Sequence, residues 1–453
     1  MMISAARVHA LAPLLLAASL SGQSPQPSVS ETLAITHVTV VDTTGGPLQS
    51  DMTVEIRDGR ITGLEKTSST KRTGRQELDG HGKYLIPGLW DMHVHLCLAK
   101  ASALPVFLAT GVTGVRDMGG RLGEIDDWRM KIAEGILAGP RIMRVGPILN
   151  GQSFNSLQLV PGSPDGARAA ARMLKHVGVD FIKIHRRIPK DSYLALLDEA
   201  KKLEMTVVGH IPMTVTPEEA SDAGQYTFEH TETLFEGTFT AALKDEQLSQ
   251  AVRRFLTEQA DRLFARFVRN HSVVTPTLVA YRSIIESSDP SFSFGELERY
   301  IPASMRRPPQ TSATSPTPEE LAELKQTFAV LHDVVKEMNR VGVTLMAGTD
   351  TSIRRVPGFT LHDELLELVQ SGLTPLQALQ AATLNPAVIM KRPDDFGSVS
   401  AGKIADLILL DANPLDDIRN TRRITAVVFG GRLLRRSDLD ALLKLAEQLA
   451  GKS

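Results

Sequence analysis

LWDMHVH (residues 89–95) is an apolar, strand-like run that carries His93 and His95 at its carboxyl end. Side chains two apart share one face of a strand, so both imidazoles point the same way and can grip one metal ion. Seven more short apolar runs follow: GVTGVRD (111–117), RIMRVG (141–146), VDFIKIH (179–185), TVVGHI (206–211), YTFEH (226–230), SVVTPTL (272–278) and VTLMAGTD (343–350). Helical segments such as ARAAARMLKHV (167–177) and YLALLDEAKKL (193–203) lie between them. Regular strand–helix alternation predicts an α/β fold of parallel strands with crossover helices, and eight units suit a closed (β/α)8 TIM barrel better than an open sheet.

Strands buried on both faces should be nearly continuous apolar runs. Here several end in groups that can ligate a metal. Lys183 sits between Ile182 and Ile184; His210 ends the fifth run, His230 the sixth and Asp350 the eighth. An unpaired buried ammonium is costly and must neutralise or be modified. Active sites of such barrels form at the carboxyl ends of the strands. Four histidines, a lysine and an aspartate at those ends therefore predict a metal site. His185 shares the face of Lys183 at the rim and is a candidate substrate contact. Arg186 follows it and offers a guanidinium suited to a substrate carboxylate. Tyr281, after the seventh strand, is a further candidate. Arg116 and Asp117 are expected to form a structural ion pair. Cys97 reads as a buried small residue and not a nucleophile.

Outward from the barrel, LAITHVTVVD (33–42) reads as a strand, and TVEIRDGRITGL (53–64) as two strands turning at Asp58-Gly59. ADLILLD (405–411) and ITAVVFGGRLL (424–434) repeat the style, with Gly430-Gly431 at the turn. Strands at both ends predict that the termini meet in a small β-sandwich domain. The expected division is a leader over 1–28, the sandwich's first part over 29–87, the barrel over 88–394, the sandwich's second part over 395–438 and a C-terminal helix over 439–453. Residues 236–269 have helical periodicity, and the Pro, Ser and Thr of 301–318 read as a loop or lid edge.

The chain of 453 residues holds 50 basic and 52 acidic side chains, a net charge of -2. No nucleic-acid partner is expected from that balance. One cysteine excludes an internal disulfide and a cysteine-rich zinc site. Arg7, the apolar run Leu11 to Leu20, the small Ser19, Ser21 and Gly22, and a polar stretch to Pro27 have the layout of a secretory signal peptide. The run is too short for a stable membrane anchor, so an exported, periplasmic or secreted protein is expected.

The ordered set PGLWDMHVHL, GVTGVRDMGG, GVDFIKIH, VVGHIP, EHTE, AGTD, GLTPLQALQAATLNPA and GSVSAGKIADLILLD resembles the amidohydrolase superfamily, in its prolidase-like and imidazolonepropionase-like branch. The likeness spans roughly residues 33 to 434. It implies a binuclear, metal-dependent hydrolase of carbon–nitrogen bonds. By that resemblance His93, His95 and Asp350 hold one divalent ion and His210 and His230 a second. Lys183, N-carboxylated by carbon dioxide, bridges them. Zinc is the usual metal in similar enzymes and suits nitrogen and oxygen ligands; manganese, iron, nickel and cobalt also fit. The implied reaction is attack by metal-activated hydroxide on an amide, with Asp350 passing a proton to the leaving nitrogen. The implied substrate is a small dipeptide such as Xaa-Pro, or an N-acyl amino acid. Homo-oligomers are common among similar proteins. The alternatives are an esterase, lactonase or phosphotriesterase on the same site, a mononuclear cyclic-amide hydrolase, and a non-catalytic binding protein. Lys183 argues against the mononuclear form, which needs no bridging carbamate.

Overall fold

Eight short strands, each buried along its length except the third and the last, form the parallel core of the computed structural model: Leu89–Val94, Val112–Asp117, Arg141–Arg144, Ile182–Ile184, Val207–Gly209, Thr227–Glu229, Val273–Thr275 and Thr344–Leu345. The structure describes residues 32–68, 76–243, 246–289, 291–306, 316–351 and 355–452. The expected leader over 1–28 and residues 307–315 of the expected lid edge lie outside them.

The first three strands pair in parallel, and so do the last five. Two seams join these ladders. At one, the Asp180 amide donates to the Arg144 carbonyl at 2.8 Å, and the Arg144 amide donates to the Asp180 carboxylate at 2.7 Å. At the other, the Met92 amide donates to Ala347 and the His95 amide to Thr351, each at 2.9 Å. Val94 bridges Thr351 in parallel there. The result is a TIM-barrel-like α/β fold, with the carboxyl ends of all eight strands on one face.

The crossover helices follow from local chemistry. Pro164–His176 starts where the Ser163 hydroxyl accepts the Gly166 amide and Pro164 fills the first turn. Its Ala167, Ala170, Ala171 and Leu174 recur every three or four residues and turn to the core. Pro318–Val341 opens on a capping box between Thr317 and Glu320 and stops at Gly342, whose φ of 95° suits only glycine. The helical periodicity over 236–269 becomes Leu248–Glu258 and Ala260–Arg269. Among the described residues no helix is long and apolar enough to cross a membrane.

Both chain ends enter one sheet of eight strands. Its path runs Arg432–Arg435, Ile424–Phe429, Leu407–Leu410, Tyr84–Pro87, Thr32–Val40, Gln49–Arg57, Arg60–Lys66, with Gln76–Asp79 branching from Thr32–Val40. The path bends back: the Ile61 amide donates to Lys403 at 2.9 Å, and the Gly402 amide to Ile61 at 2.8 Å. That contact brings the edge strand Arg60–Lys66 to the segment that leads into Leu407–Leu410. One apolar cluster, with Ile35, Val54 and Ile61 from one end and Leu407, Leu409 and Val428 from the other, fills the fold. Asp406 ties this unit to the barrel floor through Arg141 at 2.7 Å. The helix Arg436–Ala450 lays Ala446 against Val106 of the helix Ala103–Ala109.

His362 links the two units. Its Nε2 lies 3.0 Å from the Thr110 carbonyl and its Nδ1 2.9 Å from the Thr421 hydroxyl. Burial, reinforced by the Arg422 charge, pushes the imidazole down to about 4. The folded state therefore binds fewer protons than the unfolded chain between pH of about 6.5 and about 4. Stability contributed by neutral His362 is present above that window and is lost as the pH falls through it. Unfolding followed by circular dichroism should show a smaller loss of Tm between pH 7 and pH 4.5 in His362→Gln than in the wild type; equal losses would discount the linkage.

Candidate metal centre at the strand ends

His93 is fully buried on the first barrel strand, and a register shift between Asp91 and Val94 lets that strand present His95 beside it. The two rings lie 5.4 Å apart. The His230 ring is 4.6 Å from His93 and 4.8 Å from His210, and the His210 ring is 4.3 Å from His185. Asp350 Oδ1 lies 3.3 Å from His95 Nε2 and 3.7 Å from His93 Nε2. His93, His230 and Asp350 each bring one ligand atom within 4.8 Å of the others. The fold thus gathers His93, His95, His210, His230 and Asp350, with His185 at the edge of the cluster. Lys183, only 1% exposed, lowers the basicity of His93, His185 and His210 and also of His230.

Two of these residues sit in backbone conformations that L side chains rarely adopt. His230 has φ of 68° and Asp350 φ of 51°. Such conformations cost on the order of 1–3 kcal/mol each and persist where the surroundings over-determine them. For His230 the surroundings are a backbone bond to Thr275 at 2.9 Å and the Thr277 hydroxyl 2.7 Å from Nδ1. For Asp350 they are Arg355, whose Nη1 lies 3.3 Å from Oδ2 and also binds the Asp350 carbonyl. Arg355 is itself held by the Ala280 carbonyl and the Ser283 hydroxyl, both at 3.0 Å.

The electrostatics suit cations. Burial is the largest influence on His93, which is pushed down to about 4, and on His210 and His230, which stay well below the ordinary histidine range. The rings are neutral at pH 7 and offer lone pairs. Burial pushes Lys183 down to about 8. For Asp350 burial acts upward, but the His95 hydrogen bond and the Arg355 charge outweigh it and hold the carboxyl well below its usual range. His93 Nε2, His95 Nδ1, Lys183 Nζ and His210 Nδ1 are buried with no hydrogen-bond partner among the described residues. Buried polar atoms are normally satisfied. Neutral imidazoles, orphaned nitrogens and an ionised carboxylate in one small volume are a donor set that fits divalent metal.

Other expected contacts fall differently. Arg186 pairs with Glu236 at 2.9 Å. Tyr281 stacks on Phe328, with ring centroids 6.0 Å apart, and packs in the helical layer. Arg116 does not pair with Asp117. Neighbours on a strand face opposite ways; Arg116 binds Glu229 at 2.7 Å, whereas Asp117 accepts the Leu96 amide at 2.9 Å. Burial pushes the Cys97 thiol up to about 12, consistent with an inert packed residue.

Three groups escaped the sequence reading. Glu229 precedes His230 and touches His93. Glu232 lies two residues after it, its carboxyl pushed up to about 8 by burial and then by Glu236 and Asp350. Asp91 lies two residues before His93. Asp91 Oδ1 accepts the His93 amide at 3.2 Å and the Thr349 amide at 3.0 Å, and Oδ2 accepts the Thr349 hydroxyl at 2.7 Å. It straps the first strand to the segment bearing Asp350. The available signal was an acidic residue inside an apolar strand on the face of the histidines.

Residues 328–434 match the sequence profile of the Amidohydrolase family. A candidate prolidase from Bifidobacterium longum is 27% identical, with a TM-score of 0.68 over 92% of this chain and 99% of that one. The chain is thus similar to amidohydrolases in both sequence profile and fold. The imidazolonepropionase of Symbiobacterium thermophilum is 24% identical over 395 residues, 78% of this chain and 82% of that protein. The ochratoxinase of Aspergillus niger is 38% identical over 101 residues, 21% of this chain, and the match spans only 20% of the ochratoxinase.

Asp91→Ala leaves two amides and a hydroxyl without their acceptor. Each such buried loss costs roughly 1–3 kcal/mol, so denaturant unfolding should show a destabilisation of about 3 kcal/mol. Asp91→Asn, which retains an acceptor oxygen, should lose about 1 kcal/mol. Equal stabilities of the two variants would show that the strap contributes little.

Proposed function

We propose that the protein is a metal-dependent amidohydrolase that cleaves a carbon–nitrogen bond in a small dipeptide or N-acyl amino acid. The observation that carries this reading is the set of buried, neutral imidazoles with orphaned nitrogens around the ionised Asp350. The names of the similar proteins support the reaction class: a candidate prolidase, an ochratoxinase and imidazolonepropionases. In the proposed centre His93, His95 and Asp350 would hold one ion and His210 and His230 a second, with a carboxylated Lys183 as a further anionic ligand. Bound divalent cations, zinc foremost, would polarise a carbonyl and acidify water at neutral pH.

The chain's own residues prepare the rest. Lys183 has a basicity low enough for a share of it to be the free amine near neutral pH. That amine adds to carbon dioxide, forming a nitrogen–carbon bond and releasing one proton. Carboxylation turns a buried cation into an anion, which removes the burial penalty beside cations. Asp350 is ionised, so its carboxylate can take a proton and pass it to the leaving nitrogen. An amine leaves poorly without that proton.

A one-ion centre is the second reading, because the tightest group is His93, His230 and Asp350 alone. Elemental analysis of zinc-loaded protein should find two ions per chain, and one ion would favour the second reading. Export, expected from the leader, is part of the same proposal, and sequencing the amino terminus of exported material tests it.

Zinc-loaded protein in bicarbonate should hydrolyse members of a panel of dipeptides and N-acyl amino acids. Asp350→Asn should lower kcat by roughly a hundred- to ten-thousand-fold while the circular dichroism spectrum stays unchanged. Full turnover in that variant would point to another base, and hydrolysis of aryl esters alone would favour the esterase reading.

A further inference from the structure

Inside the barrel, below the ligand cluster, lies an ion pair that the proposed reaction does not use. Arg116 and Glu229 are both fully buried, on strands far apart in sequence. Arg116 Nε donates to the Met92 carbonyl at 2.7 Å, and Nη2 donates to Glu229 Oε1 at 2.7 Å. Weaker bonds run from Nη1 to the Thr227 hydroxyl at 3.3 Å and from Nη2 to the Thr275 hydroxyl at 3.4 Å. The guanidinium also lies over the Phe181 ring, 5.7 Å from its centroid. The Thr227 hydroxyl donates to Glu229 Oε1 as well. One carboxylate oxygen is thereby fully engaged, and the other, Oε2, lies 3.0 Å from His93 Nδ1.

We infer that Glu229, locked by Arg116, is a positioning residue that fixes the tautomer and orientation of His93. An ionised carboxylate can only accept, so Nδ1 must carry the ring proton and Nε2 must present its lone pair. His93 Nε2 is one of the buried nitrogens with no hydrogen-bond partner among the described residues, and it lies 3.7 Å from Asp350 Oδ1. The imidazole is therefore held between two carboxylates with different tasks. Glu229 accepts a hydrogen bond from Nδ1 on one side, and Asp350 lies beside Nε2 on the other. A buried ion pair such as Arg116–Glu229 is weak evidence for added stability, because desolvation of both charges offsets their attraction. Its cost is consistent with a directional role. Outer partners that orient a ligating histidine typically contribute ten- to a hundred-fold in metal affinity. Removing Glu229 also strands the Arg116 charge, so a bare truncation confounds position with folding, and the near-isosteric Gln and a paired variant separate the two.

The inference rests on the proposed metal centre, and its test has one readout that needs no metal. In metal-free protein labelled with nitrogen-15 histidine, the His93 signals should report a protonated Nδ1 and an unprotonated Nε2. In Glu229→Gln, whose amide can donate to Nδ1, the tautomers should mix or invert. In a chelator competition with zinc alone, wild type should bind ten- to a hundred-fold more tightly than Glu229→Gln, and Arg116→Met/Glu229→Gln should behave as the single variant does while unfolding at the wild-type temperature or above. Unchanged His93 nitrogen shifts in Glu229→Gln would overturn the inference, as would zinc affinities within two-fold of each other. Shifts that change in Glu229→Gln, together with a wild type that takes up no zinc, would sink the metal reading while leaving the orienting role of Glu229 in place.

Discussion

Lys183 sets the problem that the rest of the centre answers. Its side chain comes off a strand buried on both faces, and its ammonium group has no hydrogen-bond partner among the described residues. Taking an ammonium out of water without a partner is among the larger penalties a fold can carry. The surroundings respond in kind. Burial keeps His93, His210 and His230 neutral, so these add no positive charge, and Asp350 and Glu229 supply negative charge beside the lysine. A site that holds a cationic side chain at such cost, and keeps lone pairs beside it, is organised for groups that bind carboxylates and imidazoles together.

Holding that arrangement takes a scaffold that is itself polar. TIM-type barrels usually fill their interiors with branched apolar side chains. Here an apolar floor, with Trp90, Phe181, Val208, Val273 and Met346 in one cluster, lies in the barrel with Asp91, Arg116, Thr227, Glu229 and Thr275. Arg116, Thr227, Glu229 and Thr275 bond one another, and Asp91 is satisfied by the His93 amide and by Thr349, which is the condition for buried polar groups to be tolerated. The positive φ angles at His230 and Asp350, where the chain leaves its strand, are held by Thr275 and Thr277 in the one case and by Arg355 in the other. The strain and the ligands coincide because both belong to the strand ends.

The small sheet and the barrel meet through a few directional contacts. Asp406 receives Arg141 from the barrel and the Gly430 amide from the turn after Ile424–Phe429. The Asp406 carbonyl accepts the Gly88 amide at 2.8 Å, one residue before the first barrel strand. The strand that carries His93 and His95 is thereby anchored at its start by the small sheet and at its end by Asp91 and Thr351. Its placement is fixed from both sides of the ligand pair.

The sequence alone determined where the eight barrel strands run, because periodicity and turn residues are local properties. It also picked out the candidate ligands, since His, Lys and Asp at the ends of apolar strands are conspicuous against their surroundings. The partners of these residues were not legible. Arg116 and Asp117 are adjacent in the chain, and only the pleat sends one into the barrel toward Glu229, 113 residues away, and the other toward Leu96. Tyr281 and Arg186 follow strand ends in the sequence, and their contacts with Phe328 and Glu236 depend on elements far along the chain. Glu229 and Asp91 looked like ordinary acids beside histidines. Only when distant strands close on each other does a carboxylate acquire the amide, hydroxyl or imidazole that gives it a task, and hydrogen bonds between such strands depend on closure, which no local stretch encodes.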